Sequence, residues 1–166
     1  MKNHLPYCNT SDAIKGYSES VIAKNETNDC VVMAIASAFE IEYDRAHSFV
    51  KETFFRKDRK GTYNFIGGMN KIARERTRIG RKTCNPIGKL SIAGSYYSLD
   101  YEVKVKGQKA TRKMTVGTFI KKNPIGTFVI CVRSHAFTIK DGVVMGNIED
   151  SKKTRKIINS AWKVGS

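Results

Sequence analysis

An apolar run of ten residues, Cys30–Phe39 (CVVMAIASAF), constrains the fold more than any other feature of this sequence. It follows directly on Thr27, Asn28 and Asp29, and these are residue types favoured at the N-cap of a helix. Because the run is apolar on nearly every side of a helix, it predicts a helix buried in the middle of a domain. Its small side chains would let neighbouring elements pack closely against it.

The remaining pattern divides the chain into a helical front and an extended back. Helices are predicted over 43–55 and 64–77, where apolar residues recur with helical period. Thr115 is expected to cap a short helix that Pro124 ends. A turn at 106–110 predicts a hairpin with 111–114, and Asp141-Gly142 predicts a second one. The predicted strands are 90–93, 96–105, 127–132, 135–140, 143–145 and 156–164.

The length of 166 residues fits one domain with a real core. We expect an extended N-terminal arm (1–26) with room for one short helix, and a single α+β domain (27–166). In that domain a helical half (27–82) packs on an antiparallel sheet half (83–166). The sequence has no run of about 18 apolar residues, so no membrane span is predicted. The start of the chain lacks the apolar stretch of a signal peptide, so an intracellular protein with four free thiols is expected.

The charge is strongly positive, at +15, and it is unevenly distributed. Residues 1–50 are net acidic, whereas 51–82 hold eleven basic and three acidic residues. The segments 104–113 and 151–166 each hold five basic residues and no acidic ones. Such a surface attracts polyanions, although a solvated basic face needs no partner at all. The predicted nucleic-acid contacts are Lys57, Arg59, Lys60, Arg74, Arg76, Arg78, Arg81 and Lys82.

Three residues form a candidate catalytic set. Cys30 lies in the first turn of the predicted buried helix, where the helix dipole favours the nucleophilic thiolate. His135 opens a strand that follows a central strand, so it is a candidate base. Asn147 follows one hairpin later and is the candidate group that orients the imidazole. Each residue taken alone has a structural explanation, and the ordered combination is what points to catalysis.

The other histidines and cysteines are interpreted as structural or solvated. His47 is expected on a polar helix face and His4 in the arm, while Cys131 is expected in the core and Cys84 in a loop. No C-x-x-C pair is present, and the i, i+4 spacing of His4 and Cys8 is not enough for a site, so no metal is predicted. No cofactor is expected either.

The order of these elements resembles the papain-like cysteine peptidases, and more narrowly the small C39-like or papain-like proteins of bacteriophages. The resemblance rests on TNDCVVMAIASAF with YDRAHSFV (27–50) and on TVGTFIKKNPIGTFVICVRSHAFTIKDGVVMGN (115–147). It implies a papain-like fold with Cys30 as nucleophile, His135 as base and Asn147 as orienting group. The family places an oxyanion-hole Gln shortly before the Cys. This chain reads Ala-Lys-Asn-Glu there, so Asn28 or Asn25 would have to replace it. Asn28 is the predicted donor, and its alternative role is to cap the helix.

The resemblance implies a cysteine peptidase or related thiol hydrolase that acts on a host or viral protein, in the host cytoplasm or in the virion. A cleft rimmed by the loop 56–61 and the hairpin 104–113 would favour a protein substrate with an acidic surface. Three other readings stay open at this point. They are an inactive scaffold that binds nucleic acid or an acidic host protein, a structural component of the virion, and a transferase that passes the same thioester to an amine.

Overall fold

The computed structural model describes residues 4–93 and 96–165 and has the mixed α+β architecture that the sequence predicts. The helices are α1 (Thr10–Ala13), α2 (Val21–Asn25), α3 (Cys30–Phe39), α4 (Tyr43–Thr53), α5 (Phe65–Arg74), α6 (Val116–Lys122) and α7 (Ile148–Ser151). The strands are β1 (Tyr7–Cys8), β2 (Thr83–Pro86), β3 (Lys89–Ala93), β4 (Tyr96–Val105), β5 (Gln108–Lys113), β6 (Thr127–Val132), β7 (His135–Lys140), β8 (Val143–Met145) and β9 (Ile158–Gly165).

The main sheet has six strands in the order β1-β8-β7-β6-β9-β2. β6 pairs with β7 and β9 on its two sides, which confirms the prediction that 127–132 is a central strand. Every neighbouring pair is antiparallel except β1 with β8, so the sheet is mixed rather than purely antiparallel. The difference arises because β1 has only two residues, too few to give a period-2 pattern in the sequence.

Helix α3 lies against one face of this sheet, as its apolar pattern predicts. Eight of its ten residues are buried. The Thr138 hydroxyl of β7 donates to the carbonyl of Ala34 at 2.8 Å and ties the helix to the sheet. Trp162 of β9 is fully buried in the same core, and its indole N–H donates to Asn70 Oδ1 at 3.1 Å. The first bond thus ties α3 to the sheet, and the second ties α5 to the sheet beside the same core.

The N-terminal segment is not the extended arm that its polar composition suggested. β1 joins the main sheet, and Ile14 is 1% exposed in the core. The ring of Tyr17 packs edge-on against Tyr43, and Ser20 caps α2 through the N–H of Ala23. The part of the expected arm before residue 4 lies outside the described residues. One apolar anchor and a short strand are enough to fix a segment whose average composition is polar.

A smaller sheet of three strands has the order β3-β4-β5. The register from Val105↔Gln108 down to Asp100↔Lys113 confirms the predicted hairpin, but β5 begins at Gln108, so the turn is shorter than the predicted 106–110. Lys106 and Gly107 form its turn, both with positive φ (50° and 80°). Among the helices in the described part of the chain, none is long and apolar enough to cross a membrane.

Candidate active site

Cys30 is the first residue of α3, as predicted, and it lies beside the start of β7. Its thiol is close enough to the side chain of His135 and to the backbone N–H groups of Ala136 and Val31 for all three to lower its pKa. The first turn of a helix has N–H groups without partners inside the helix, so a negative sulfur is favoured there. The predicted nucleophile and the predicted base are therefore neighbours.

The third group is Asp150, not Asn147. Nε2 of His135 lies 2.7 Å from Asp150 Oδ1, and the Asp150 side chain is 7% exposed. This contact leaves Nδ1 as the ring nitrogen available to Cys30. The ring of His135 also stacks on Phe137, with centroids 5.9 Å apart, which limits its rotation.

Asn147 acts one step further away than predicted. It is the N-cap of α7, and its Oδ1 accepts the backbone N–H of Asp150 at 3.0 Å. The physical reason is the helical turn that follows β8, because this turn brings the residue three positions after the cap to the imidazole. Asn147 thus holds the residue that orients His135. The signal that could have found Asp150 is the Asn-x-x-Asp spacing, which is typical of a capped first turn.

The three groups shift one another's proton affinity. Burial by itself raises the pKa of the Cys30 thiol, but the hydrogen bonds from His135 and Ala136 outweigh it, so that pKa is lowered. Burial lowers the pKa of His135, yet the bonds to Asp150 and Cys30 raise it to about 9. The pKa of Asp150 is lowered, because His135 and Lys153 outweigh the effect of its burial. The arrangement favours a thiolate paired with an imidazolium.

Cys30 and His135 open into a cleft of about 850 Å³ between the two halves of the domain. Its lining comes from Asn28, Asp29, residues 61–67 and Asn70 in the helical half, and from residues 131–132, 134–136 and Asn159 in the sheet half. The expected basic rim is absent, because no Lys or Arg is among the described residues that line the cleft. The loop 56–61 contributes only Gly61 to the lining, and the hairpin 104–113 contributes nothing. The lining is instead rich in asparagine.

A buried ion pair supports the segment that precedes Cys30. The guanidinium of Arg56 pairs with Glu26, and the two side chains are 0% and 5% exposed. Arg56 also donates to the carbonyl of Thr27 at 3.0 Å, and Glu26 Oε1 accepts the backbone N–H of Arg59 at 3.0 Å. His47 is 7% exposed, and its Nε2 lies 3.5 Å from Glu26 Oε2. The prediction that His47 is solvated is therefore wrong.

The same cluster brings Glu26, His47 and Asp58 within 4.8 Å of one another, which is a spacing that a metal could use. A cation is already present, however, because the Arg56 guanidinium pairs with Glu26 and lies 3.5 Å from His47 Nε2. The residues therefore do not fit a metal, since a second cation would be repelled.

Asn28 lies at the cleft with a left-handed backbone (φ 54°), and its amide donates to the carbonyl of Arg59 at 3.3 Å. The N-cap of α3 is Asp29, whose carboxylate accepts the hydroxyl of Tyr43 at 2.5 Å and makes no capping bond. One N–H of the Asn28 amide is thus engaged by the loop, and the second is available to a substrate. Its role as an oxyanion donor stays a prediction.

The predicted nucleic-acid contacts lie mostly on the exposed surface, but two of the eight have partners. Arg59 donates to the carbonyl of Asn25 at 3.2 Å, and Lys82 pairs with Glu40 at 2.8 Å. One other cysteine differs from expectation, because Cys84 lies in β2 and is 2% exposed, whereas a loop position is predicted. Cys131 packs against the core as predicted, and it also lines the cleft.

Comparison with known proteins gives no relative. No family model, no curated protein and no solved structure matches this chain.

Proposed function

We propose that this protein is a papain-like cysteine peptidase or a related thiol hydrolase, with Cys30 as nucleophile, His135 as acid and base, and Asp150 as the residue that orients His135. The observation that carries the proposal is the chain of contacts from Cys30 through His135 to Asp150 at the head of a cleft. A thiol at a helix N-terminus, a base in contact with it and a buried carboxylate behind the base are the parts of a nucleophilic triad.

In the first step the Cys30 thiolate attacks the carbonyl carbon of an amide, so that a C–S bond forms and the carbonyl electrons move onto oxygen. As the C–N bond breaks, the imidazolium of His135 gives a proton to the leaving amine. Water then attacks the thioester while His135 takes a proton from it. This second step releases the carboxylic acid and restores the Cys30 thiolate.

The developing oxyanion needs donors that are already in place. The backbone N–H of Cys30 is suited to this, since the first N–H groups of a helix have no partner within the helix. The free N–H of the Asn28 amide is the second candidate. One such donor is worth about a hundred- to a thousand-fold in rate.

The cleft favours an uncharged protein segment as substrate. Apart from His135, the only formally charged residue among the described residues that line it is Asp29. Side-chain amides both donate and accept hydrogen bonds, so they can pair with an extended peptide backbone. The amide of Asn70 is already oriented, because its oxygen accepts from Trp162 and its N–H₂ group therefore points elsewhere. The amides of the lining belong to Asn28, Asn64, Asn70 and Asn159.

Alkylation with iodoacetamide at a pH of about 6 tests the nucleophile. Burial raises the pKa of Cys84 to about 11 and that of Cys131 to about 12, so both should react slowly. Cys30 should react fastest, and the His135→Ala variant should lose this advantage. Equal, slow reaction of all the thiols would contradict an active nucleophile and favour the inactive scaffold.

Cleavage of a peptide library then separates a hydrolase from the related transferase. Products with free carboxyl ends indicate attack by water on the thioester. Products joined to an added amine indicate the transferase. The Cys30→Ala variant is the matched control, because Ala is small and a good helix former, and it should keep the fold while losing both kinds of product.

A further inference from the structure

The hairpin of β4 and β5 extends well beyond the sheet to which it belongs. β3 pairs with β4 only as far as Asp100, so residues 101–112 form a two-stranded ribbon, here termed the basic arm. Most of its residues are exposed, including all of 104–109. A two-stranded ribbon on its own is marginally stable in water, so burial does not explain why the chain carries one.

The charge of the basic arm is compensated only in part. It carries Lys104, Lys106, Lys109 and Arg112 against one carboxylate, Glu102, and no further acidic residue occurs between 103 and 122. Lys104 is directly opposite Lys109 in the strand register, and like charges at opposed positions are destabilising. In the described part of the chain, none of these four cations forms an ion pair with a carboxylate.

Neighbouring elements enlarge the same basic surface. The ammonium of Lys122, at the end of α6, lies 5.1 Å from the centre of the Tyr101 ring at the base of the arm. Lys156 lies beside α6, because its carbonyl accepts the N–H of Val116. By contrast, several cations of the segment 51–82 have acidic partners within the chain. These pairs are Lys51 with Asp58, Arg56 with Glu26, and Lys82 with Glu40.

We propose that the basic arm is a binding element for the phosphate backbone of double-stranded nucleic acid. A two-stranded β-ribbon has the width that the major groove of B-DNA admits. Lysines on both strands of such a ribbon can reach phosphates without reading bases, so binding has little sequence preference. The partner relieves the repulsion between Lys104 and Lys109, which the fold leaves in place. This inference does not depend on the proposed catalytic activity.

Fluorescence anisotropy with a labelled, mixed-sequence DNA duplex of about two helical turns tests the proposal. Affinity is measured between about 50 and 200 mM KCl for the full-length protein and two variants. The arm variant is Lys104→Gln with Lys106→Asn and Lys109→Gln. Asn suits the left-handed turn position of Lys106 (φ 50°). The control is Lys57→Gln with Lys60→Gln and Arg78→Gln, which removes the same charge from the segment 51–82.

The arm variant should bind more weakly, and its slope of log affinity against log salt should fall by about 0.9 for each lysine that contacts a phosphate. It should nevertheless unfold at the same or a higher temperature, because a like-charge pair has been removed.

Equal loss of DNA affinity in both variants, or no binding by the unmodified protein, would overturn the proposal. So would displacement by polyglutamate as effective as by unlabelled duplex, which indicates an acidic protein partner. Self-association of the arm variant with undiminished DNA binding would mean that the lysines only protect a sheet edge.

Discussion

The imidazole of His135 is held by Asp150 at 2.7 Å, and Asp150 is itself held by Asn147, which accepts its backbone N–H at 3.0 Å. The orienting group of the candidate triad is thus a charged carboxylate on a short capped helix, rather than the amide at the strand end. The negative charge stabilises an imidazolium, whereas an amide at the same place would only fix the ring.

Replacement of Asp150 by Asn should therefore change the charge state of His135 and not only its position. We expect the pKa of His135 to fall from its raised value of about 9, because the stabilising charge is lost. The kcat for amide hydrolysis should fall about 100-fold or more. NMR titration of the His135 ring protons measures the first effect and steady-state kinetics the second. An unchanged titration would show that Asp150 is not electrostatically coupled to the ring.

Asn147 should respond differently, because it acts through the cap of α7. Asn147→Ala should lower the free energy of unfolding by about 1 kcal/mol and reduce activity less than Asp150→Asn does. Asn147→Ser restores a capping oxygen without adding charge and should recover both properties. Urea unfolding measures the stability, and the pH profile of kcat measures the activity. Failure of the Ser variant to recover activity would mean that Asn147 has a role beyond the cap.

Hydrolysis should have a bell-shaped pH profile. The acid limb should lie below the usual range of a thiol, because the pKa of Cys30 is lowered. The alkaline limb should fall near 9, where His135 loses the proton that the leaving amine needs. His135 also links pH to folding, since its folded pKa is raised above the ordinary value of 6.5. Its contribution to stability is fully present below about 6.5 and is lost as pH rises through about 9.

Two substitutions test whether the amide of Asn28 donates to the oxyanion, since one removes the side chain and the other replaces the amide with a carboxylate. Asn28→Gly removes the amide but keeps a residue that tolerates the left-handed backbone (φ 54°). If the amide donates to the oxyanion, this variant should lose about 100-fold in kcat with little change in stability. Asn28→Asp should lose activity and also stability, because a carboxylate would face the carbonyl of Arg59. Full activity in the Gly variant would remove Asn28 from the mechanism.

The buried pair of Arg56 with Glu26 should be important for stability. Arg56→Ala leaves the Glu26 carboxylate buried without its partner, which should cost about 3–5 kcal/mol of unfolding free energy. The exposed pair of Lys51 with Asp58 is the matched control, and Lys51→Ala should leave the unfolding midpoint nearly unchanged. Alkylation of Cys30 in the folded Arg56→Lys variant shows whether the pair also positions the nucleophile. Equal losses of unfolding free energy for Arg56→Ala and Lys51→Ala in urea would contradict a special role of the buried pair in stability.

The sequence determined the order of the elements and the meeting of Cys30 with His135. An apolar run behind N-cap residues specifies a buried helix, and a strand that is apolar on both faces specifies the centre of a sheet. These are local, periodic signals. A helix N-terminus and a strand end on the same side of such a layout then bring the thiol and the imidazole together, as Cys30 and His135 are found.

Only the tertiary structure decided which groups surround that pair. Asp150 reaches His135 because a single helical turn follows β8, and one turn has no periodic signature in a sequence. His47 and Arg56 are buried because segments about thirty residues apart close over Glu26, and a polar side chain gives no local sign of such burial. The pairing of charges is likewise decided by the tertiary structure. Composition sums the lysines and arginines, but pairing across the fold determines which of them remain uncompensated for a partner.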